Sequence, residues 1–202
     1  MRTYGQYCAM ARGLDVIGDR WTLLIVRELL LQGPSRYAEL QRGLPGIATN
    51  LLADRLRELE DSDVVTRDDG VVSLTPRGRA LEPVMRAIGR WGAPLLAEAT
   101  GKDVFQSHWL ALPLVEFLAD HAPKRAPQTL EVRTGEEPLS VEVGKGAVKI
   151  RPGRPGAPDA IIGGPVRLVL PVLAGRTRLA TARVLFEGDR AVLRRLQPKA
   201  FG

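Results

Sequence analysis

Apolar residues recur at three- and four-residue steps through the first half of the chain, a spacing that predicts amphipathic helices. A first helix is expected over residues 8–17 and ends at Gly18. A second helix is expected over residues 21–31, after Asp19, whose carboxylate suits a helix start. This second helix is so rich in Leu, Ile and Val that it should form the buried centre of its domain.

The pattern continues with shorter elements. Ser35 is expected to cap a brief helix through Leu40, and the glycine- and proline-containing segment 43–46 should turn the chain. A longer helix is expected over residues 48–61. Two helices joined by a tight turn that contains glycine form a helix-turn-helix.

A β-hairpin and a further helix complete this half of the chain. Two runs of strand-forming residues, 64–67 and 71–74, flank an Asp-Asp-Gly turn. Thr75 and Pro76 begin a helix, which Pro83 should kink or restart. This order of elements is that of a winged helix domain. The apolar stripe of the last helix consists of Leu81, Val84, Met85, Ile88, Trp91 and Leu95.

The second half alternates apolar and polar residues in short runs, which predicts an antiparallel sheet with one covered face. The covering elements should be the Val- and Leu-rich segment 165–174 and a short helix over 189–196. The predicted strands carry Leu130 and Val132, then Leu139, Val141 and Val143, then Val148 and Ile150, and finally Val184 and Phe186.

A helix over residues 104–119, disturbed at Pro113, is expected to bridge the two halves, with Phe105, Trp109, Leu112 and Val115 on one side. The composition shift lies between residues 97 and 104. The fold class is therefore α+β: a winged helix domain over 1–100, followed by a smaller sandwich-like domain over 101–202.

The composition of the 202 residues, 45% hydrophobic and 26% charged, is typical of a soluble globular protein. One cysteine excludes a disulfide within the chain, and two histidines are too few for a structural zinc site. No phosphate-binding glycine loop or G-x-S-x-G motif occurs, so an enzyme is disfavoured and neither cofactor nor metal is expected. Without an apolar run long enough for a membrane span or a signal peptide, the protein is expected in the cytoplasm, associated with the nucleoid.

The net charge of +6 suggests a polyanionic partner, but the charge is unevenly distributed. Residues 1–101 carry 13 arginines and 13 acidic residues, whereas residues 102–202 carry 16 basic and 10 acidic residues. Because the whole excess lies in the second half, a DNA-binding surface in the first half has to be argued from local arrangement.

The helix expected over 48–61 should turn its polar side outward, because its leucines share the side that packs on the domain. Its N-terminal end enters the major groove in helix-turn-helix proteins, where Asn50 can pair with adenine and Thr49 can meet a base edge. Arginines on and around this helix are expected to reach phosphates, and Arg55 also a guanine edge. The expected DNA contacts are Arg36, Arg42, Thr49, Asn50, Ala53, Arg55, Arg57, Arg67 and Arg77.

The alternative is a merely solvated helix, in which Asp54 and Glu58 pair with Arg55 and Arg57 and repel phosphate. A dimer that presents two recognition helices to adjacent half-sites would offset weak binding by one copy. The apolar stripe of the 76–95 helix is a candidate dimer surface, and its burial against the second domain is the competing interpretation.

The Cys-Ala-Met-Ala-Arg sequence at 8–12 and the segment 14–22 resemble the opening signature of the HxlR family of winged helix regulators. The resemblance covers roughly residues 7–97 and implies a homodimeric, sequence-specific, MarR-like transcription factor of a prokaryote, with terminal helices forming the dimer contact. Ala48 stands where the family often has serine, so Thr49 is expected to take over the capping role. The likeness continues in order at 36–40, 44–47, 52–56, 74–78 and 89–91.

Some members of that family sense oxidants or electrophiles through a cysteine near the start, at a position that matches Cys8. A lone thiol suits an intermolecular disulfide or an adduct. Against a redox sensor, cysteine is often a small buried apolar residue, and the only nearby positive charges are Arg2 and Arg12.

Residues 125–197 resemble the sterol carrier protein type 2 fold, through Pro-Asp-Ala-Ile-Ile at 158–162 and the segments 166–175 and 184–196. The resemblance implies an apolar ligand cavity and thus an effector domain. The alternative is a packed domain that only aids dimerisation. The candidate pocket residues are Phe105, Trp109, Val166, Leu170 and Phe186, and Lys145, Lys149 and Arg151 are either a solvated strand face or a carboxylate attractor.

The sequence therefore predicts a DNA-binding regulator, expected to be a repressor, that binds double-stranded operator DNA as a homodimer and responds to a small apolar or aromatic effector. The alternative is a lipid or small-molecule carrier, or an enzyme-like domain, in which the winged helix mediates protein contacts. Salt-dependent binding to a defined DNA sequence distinguishes these two classes.

Overall fold

The periodicity of the first half produces helices up to the predicted hairpin. They are α1 (Ala9–Ile17), α2 (Thr22–Gln32), α3 (Tyr37–Gly43) and α4 (Thr49–Asp61). In this computed structural model, which describes residues 3–98 and 103–198, they belong to a unit made of residues 1–91. Ile25 and Val26 of α2 are completely buried, so the second helix is the centre of this unit as expected.

A small sheet follows the helix-turn-helix. Strands β2 (Val65–Asp68) and β3 (Val71–Leu74) form the predicted hairpin, and a two-residue strand β1 (Ser35–Arg36) pairs with β3. The expectation that Ser35 caps α3 is wrong. Its hydroxyl donates to the Gly33 carbonyl at 2.9 Å, while the backbone N–H of Arg36 donates to the Glu39 carboxylate at 2.6 Å at the start of α3.

The helix predicted after the hairpin is divided into α5 (Pro76–Arg79) and α6 (Glu82–Gly92). Thr75 caps α5 by accepting a hydrogen bond from the Gly78 N–H at 3.0 Å. A Cβ at Gly78 would lie 2.1 Å from the Val64 carbonyl oxygen, so glycine is required where α5 meets the hairpin. Pro83 lies in the first turn of α6, which means that it restarts the helix rather than kinking it.

The second unit, residues 92–202, is built on a sheet whose order is β7-β6-β5-β8-β9. A short pair, β4 (Leu118–Asp120) and β10 (Leu196–Pro198), accompanies it. The strands of the larger sheet are β5 (Gln128–Arg133), β6 (Leu139–Gly144), β7 (Ala147–Pro152), β8 (Ala160–Gly163) and β9 (Leu185–Gly188).

The predicted antiparallel sheet is mixed, because β8 pairs with β5 in parallel. Strand β6 is antiparallel to both β5 and β7, so β7 and β5 run in the same direction. The proline-rich connection 153–159 then carries the chain from the end of β7 to the start of β8, which lies on the other side of β5 and runs in that direction as well. A connection of this kind crosses two strands, which alternation of side chains along the sequence does not reveal.

One face of this sheet is covered, as predicted. Leu130, Val132 and Ile162 on the sheet are completely buried. Val169 of α8 (Val166–Leu173) and Val192 of α9 (Ala191–Arg195) are completely buried as well. The two helices correspond to the predicted covering segments.

The helix expected over 104–119 is much shorter. Helix α7 (Ala111–Phe117) follows a 3₁₀ turn over Ser107–Leu110 and leads directly into β4. The buried side carries Leu110, Leu114 and Leu118, not the predicted Trp109 and Leu112, which are half-buried. Pro113 falls in the first turn of α7, where a missing N–H costs no helical hydrogen bond. This segment contributes its buried side to the core of the second unit.

A buried ion pair joins two distant parts of the second unit. Arg195 Nε lies 2.8 Å from Asp120 Oδ1, and Arg195 Nη2 donates to Asp120 Oδ2 at 3.1 Å. Arg195 also donates to the Ala126 carbonyl, and Asp120 accepts from the Ala122 and Gly146 N–H groups. The hydrogen bonds from Arg195 hold the pKa of the Asp120 carboxyl well below its usual value.

We expect Asp120→Asn to lower the free energy of unfolding at neutral pH by about 3 to 5 kcal/mol, because it leaves Arg195 buried without a counter-charge. A carboxyl whose native pKa is depressed stabilises the fold above its unfolded pKa, and loses that contribution as the pH falls through the native value. Urea unfolding should therefore show the wild type and the variant converging below about pH 4. Asp54→Asn, at an exposed ion pair, should cost less than about 1 kcal/mol and serves as the control; an equal loss in both variants would contradict the assignment.

Candidate DNA-binding surface

The turn between α3 and α4 depends on a close contact between α2 and α3. Glu28 of α2 is completely buried, where it pairs with Arg27 at 2.8 Å and accepts from Gln32 Nε2 at 2.8 Å. A Cβ at Gly43, the last residue of α3, would lie 2.2 Å from Glu28 Oε2. A side chain at this end of α3 would therefore displace the Glu28 carboxylate from Arg27 and Gln32.

Burial also affects the partner of Glu28. Desolvation lowers the pKa of the Arg27 guanidinium below its usual value, although the ion pair with Glu28 opposes the shift. The sequence analysis missed this buried pair. The available signal was the presence of two adjacent charges, Arg27 and Glu28, inside an otherwise apolar helix.

The buried side of α4 is the one predicted. Leu52, Leu56 and Leu59 are at most 2% exposed, whereas Asn50 and Arg57 are exposed on the opposite side. Of the remaining predicted contacts on α4, Ala53 and Arg55 are half-buried.

Two side chains of α3 hold the first residue of α4. The Tyr37 hydroxyl donates to the Thr49 carbonyl at 2.5 Å, and Gln41 Nε2 donates to Thr49 Oγ1 at 2.8 Å. Thr49 therefore does not cap α4, and the expectation that it takes over this role is wrong; Ala48 occupies the cap position without a side-chain hydrogen bond. Asn50 accepts from the Leu51 N–H at 3.0 Å, so its amide NH₂ is available at the exposed end of α4.

Several predicted arginines are held by carboxylates. Arg55 is only 22% exposed and contacts Asp19 at 3.3 Å as well as Glu58. Arg57 pairs with Asp54 at 2.6 Å, and Arg67 pairs with Glu60 at 3.3 Å. The ion pairs that the sequence analysis weighed as an alternative thus exist, and Arg55 lies between two carboxylates. The carboxylate partners of these arginines are Asp19, Asp54, Glu58 and Glu60.

Other arginines remain exposed around α4. Arg77 and Arg79 on α5 have no ion-pair partner within the described part of the chain. Arg36 is exposed beside the hairpin, with its Nη1 3.7 Å from the position of a Cβ at Gly70. Arg42, also predicted, is exposed in the last turn of α3. The sequence analysis omitted Arg79, which follows Arg77 by half a helical turn.

The first unit also has an open cleft of about 660 Å³ that the sequence did not predict. Thr3 and Tyr4 line it together with parts of α1 and α4, and both donate hydrogen bonds to Asp15. Three of the lining side chains are carboxylates and one is the paired Arg55. This acidic lining is unsuited to phosphate.

Exposed apolar side chains occur on both terminal helices of the first unit. Met10 of α1 is 76% exposed, and Ile88 and Trp91 of α6 are 45% and 77% exposed. Cys8, directly before α1, is exposed and not part of the core. Exposure is a condition for thiol chemistry, and the proposed role of Cys8 as an oxidant sensor stays a prediction.

The predicted ligand-pocket residues lie in the second unit. Phe105, Val166, Leu170 and Phe186 are half-buried and pack against its core, and Trp109 meets the His108 ring edge-on at a centroid distance of 6.0 Å. Beside them is a feature that the sequence analysis missed.

Two hydroxyl oxygens in this region, Ser107 Oγ and Thr134 Oγ1, are buried and have no hydrogen-bond partner. Ser107 Oγ lies 2.5 Å from the position that a Cβ would take at Gly135, directly after Thr134, and Phe105 contacts the same position. Buried hydroxyls normally have partners, so these two oxygens are unusual among the buried polar groups of this unit.

Within residues 3–98 and 103–198, no cluster of His, Cys, Asp and Glu could hold a metal ion. In the same described residues, no helix has the length and apolar character that crossing a membrane requires.

Comparison with known proteins identifies the first unit. The family model described as HxlR-like helix-turn-helix matches residues 16–100. The HTH-type transcriptional regulator YvaP of Bacillus subtilis is 37% identical over 89 residues, which are 40% of this chain and 80% of that protein. The chain belongs to the HxlR family.

Other HxlR-type similarities cover the same part of the chain. The HTH-type transcriptional regulator sll1512 of Synechocystis is 34% identical over 101 residues, 46% of this chain and 74% of that protein. Among solved structures, quinone-bound YodB from B. subtilis is 34% identical, covering 42% of this chain and 96% of that chain, with a TM-score of 0.40. The family assignment therefore rests on the first unit, and the likeness of the second unit to a sterol carrier protein stays a prediction.

Proposed function

We propose that this HxlR-type transcriptional regulator represses genes by binding operator DNA as a homodimer, with α4 in the major groove and the β2–β3 hairpin beside it, and so acts on the nucleoid in the cytoplasm. The observation that carries the proposal is the anchoring of α4. Its N-terminal residue is bonded to Tyr37 and Gln41 of α3, while Asn50 on the next position is exposed with a free amide NH₂. A rigidly held helix end with one free amide suits base readout.

The roles of the polar side chains can be divided by their partners. Asn50 is assigned to an adenine edge, since its NH₂ donates and its oxygen needs only to leave the Leu51 N–H to accept. Arg36, Arg77 and Arg79 are assigned to phosphates, because each is exposed and lacks an ion-pair partner within residues 3–98 and 103–198. Arg55 drops out of the base-reading set because Asp19 and Glu58 hold it.

We expect Asn50→Ala to reduce the preference for a DNA duplex selected from a random pool over its scrambled form by about 1 to 3 kcal/mol. Arg77→Ala should instead weaken binding to both duplexes and lower the salt dependence. Fluorescence anisotropy titrations at several salt concentrations measure both quantities. Equal weakening on both duplexes by Asn50→Ala would remove this residue from base readout, and no preference for any selected duplex would favour a winged helix that mediates protein contacts.

The homodimer is proposed from the terminal helices of the first unit. The exposed side chains of α6 include Val84, Ile88 and Trp91, and those of α1 include Met10 and Leu14. An aromatic side chain and an aliphatic one on consecutive turns of one helix form an apolar stripe, and the exposure of such a stripe to water is unfavourable. A second copy of the same stripe is the proposed covering surface, since a twofold interface uses one patch twice.

We expect the double variant Ile88→Glu, Trp91→Glu to be monomeric at micromolar concentration, because it places charge in the proposed apolar contact. Sedimentation equilibrium measures the change. Leu185→Glu is the control, since Leu185 is a similarly exposed apolar residue on β9 of the second unit. A dimer that survives in the α6 variant but dissociates in the Leu185 variant would move the contact to the second unit.

The second unit is proposed to bind a small apolar or aromatic effector in a sterol-carrier-like fold. A covered sheet face with the half-buried Phe105, Leu170 and Phe186 provides apolar surroundings. The buried hydroxyls of Ser107 and Thr134, which make no hydrogen bond, favour a ligand that also carries a hydrogen-bonding group. Binding that favours one arrangement of the dimer would change operator affinity.

We expect 1-naphthol, an aromatic probe with one hydroxyl, to raise the melting temperature of the wild-type chain with increasing concentration, and to do so less in the variant Ser107→Ala, Thr134→Val. Without naphthol this variant should be as stable as the wild type, because it removes hydroxyls that make no hydrogen bond. Thr66→Val on the exposed side of β2 is the control. Destabilisation without naphthol, or equal naphthol effects in all three proteins, would contradict the site.

A further inference from the structure

Six arginines near the end of the chain are exposed and form no ion pair with any residue in the described ranges 3–98 and 103–198. We propose that this set, the arginine surface, binds phosphates of the DNA that flanks the operator, so that the second unit adds to the DNA affinity of the first. The inference rests on the proposed function. The arginine surface consists of Arg167, Arg176, Arg178, Arg183, Arg190 and Arg194.

The positions of these residues are set by the helices that cover the sheet. Helices α8 and α9 pack on the same sheet face through Val169 and Val192, which belong to one buried cluster. Arg167 on α8 and Arg194 on α9 are exposed, so they lie on the side of each helix that turns away from that cluster. The connection from α8 to β9 carries Arg176, Arg178 and Arg183, which are exposed as well.

Few acidic residues accompany this surface. Between residues 165 and 198 the acidic residues are Glu187 and Asp189. Asp189, directly before α9, accepts hydrogen bonds from the Ala191 N–H and from Gln128 Nε2 and keeps its negative charge beside Arg190. Glu187 follows Phe186 on β9, and because Phe186 packs on the core, Glu187 faces the opposite side of the sheet. The six arginines outnumber these two carboxylates, so the arginine surface has a net positive charge.

The opposite face of the sheet has a different charge pattern. Lys149 on β7 stands opposite Glu142 on β6, and Arg133 is bonded to the buried Glu131 at 2.7 Å. Cations and carboxylates are interspersed on that face, as on an ordinary solvated sheet. The positive excess of residues 102–202 is therefore concentrated on the side of the sheet that α8 and α9 cover.

The first part of the chain has few unpaired cations with which to bind phosphate. Residues 1–101 have as many acidic residues as arginines, and Arg55, Arg57 and Arg67 are already paired with carboxylates. Affinity for DNA comes largely from cations that displace counterions from phosphates. Arginine is well suited to this contact because its planar fork matches phosphate oxygens. A second unit with unpaired arginines supplies cations that the nearly charge-balanced first part of the chain lacks.

The test uses two triple variants of the full chain with the same loss of charge. One is Arg176→Gln, Arg178→Gln, Arg183→Gln in the arginine surface, and the other is Lys145→Gln, Lys149→Gln, Arg151→Gln at β7, whose three cations are also exposed. Binding is measured by anisotropy against salt concentration, on a selected operator duplex with long flanks and on the same operator trimmed of its flanks. Melting temperatures establish that both variants are folded.

On the flanked duplex we expect the arginine variant to reduce the slope of log affinity against log salt by about 2 to 3, and to weaken binding at least about tenfold at low salt. The β7 variant should retain the wild-type slope, and on the trimmed duplex both variants should bind like the wild type. Equal reductions by both variants would overturn the proposal in favour of a general charge effect, and unchanged slopes for both would overturn it outright.

Failure of the proposed function gives a different result. If Asn50→Ala and the wild type both bind selected and scrambled DNA equally, operator recognition by α4 fails, whatever the salt slopes are. If the preference for selected DNA is intact and the arginine variant keeps the wild-type slope, only the contribution of the second unit fails.

Discussion

The contact between Glu28 and Gly43 is the constraint on which the DNA-binding surface depends. A buried carboxylate on α2 lies against the end of α3, and a side chain in place of Gly43 would displace that carboxylate from Arg27 and Gln32. After the turn that follows α3, the first residue of α4, Thr49, accepts hydrogen bonds from Tyr37 and Gln41. A charged group is costly to bury without partners, and the Glu28 carboxylate has them in Arg27 and Gln32.

The same polar chemistry limits which side chains can meet DNA. Arg55 and Arg57 belong to the recognition helix, yet carboxylates bind both. Cations so occupied add little to phosphate binding, so the proposed contacts are Asn50 with a base and a small number of exposed arginines with the backbone. The balanced charge of the first half and the positive excess of the second half fit the proposal that sequence specificity and non-specific affinity reside in different units.

The second unit is organised by distant contacts. The parallel pairing of β8 with β5 and the buried pair of Asp120 with Arg195 both join segments far apart in sequence. Its core is covered by apolar helices, while the hydroxyls of Ser107 and Thr134 are left without partners. The proposed effector site is placed beside these two hydroxyls, since polar groups of that kind can orient a ligand.

Local features were determined by the sequence itself. The leucines of α4 recur at helical spacing, Thr75 with Pro76 sets a helix start, and alternation marked Leu130 with Val132 as one face of a strand, because each pattern reflects the geometry of neighbouring residues. The tertiary structure alone decided that Ser35 enters a strand and that Arg55 pairs with Asp19. It likewise decided that β8 runs parallel to β5. Such outcomes depend on which groups from distant parts of the chain come into contact in the fold. The local sequence around a residue does not indicate these contacts.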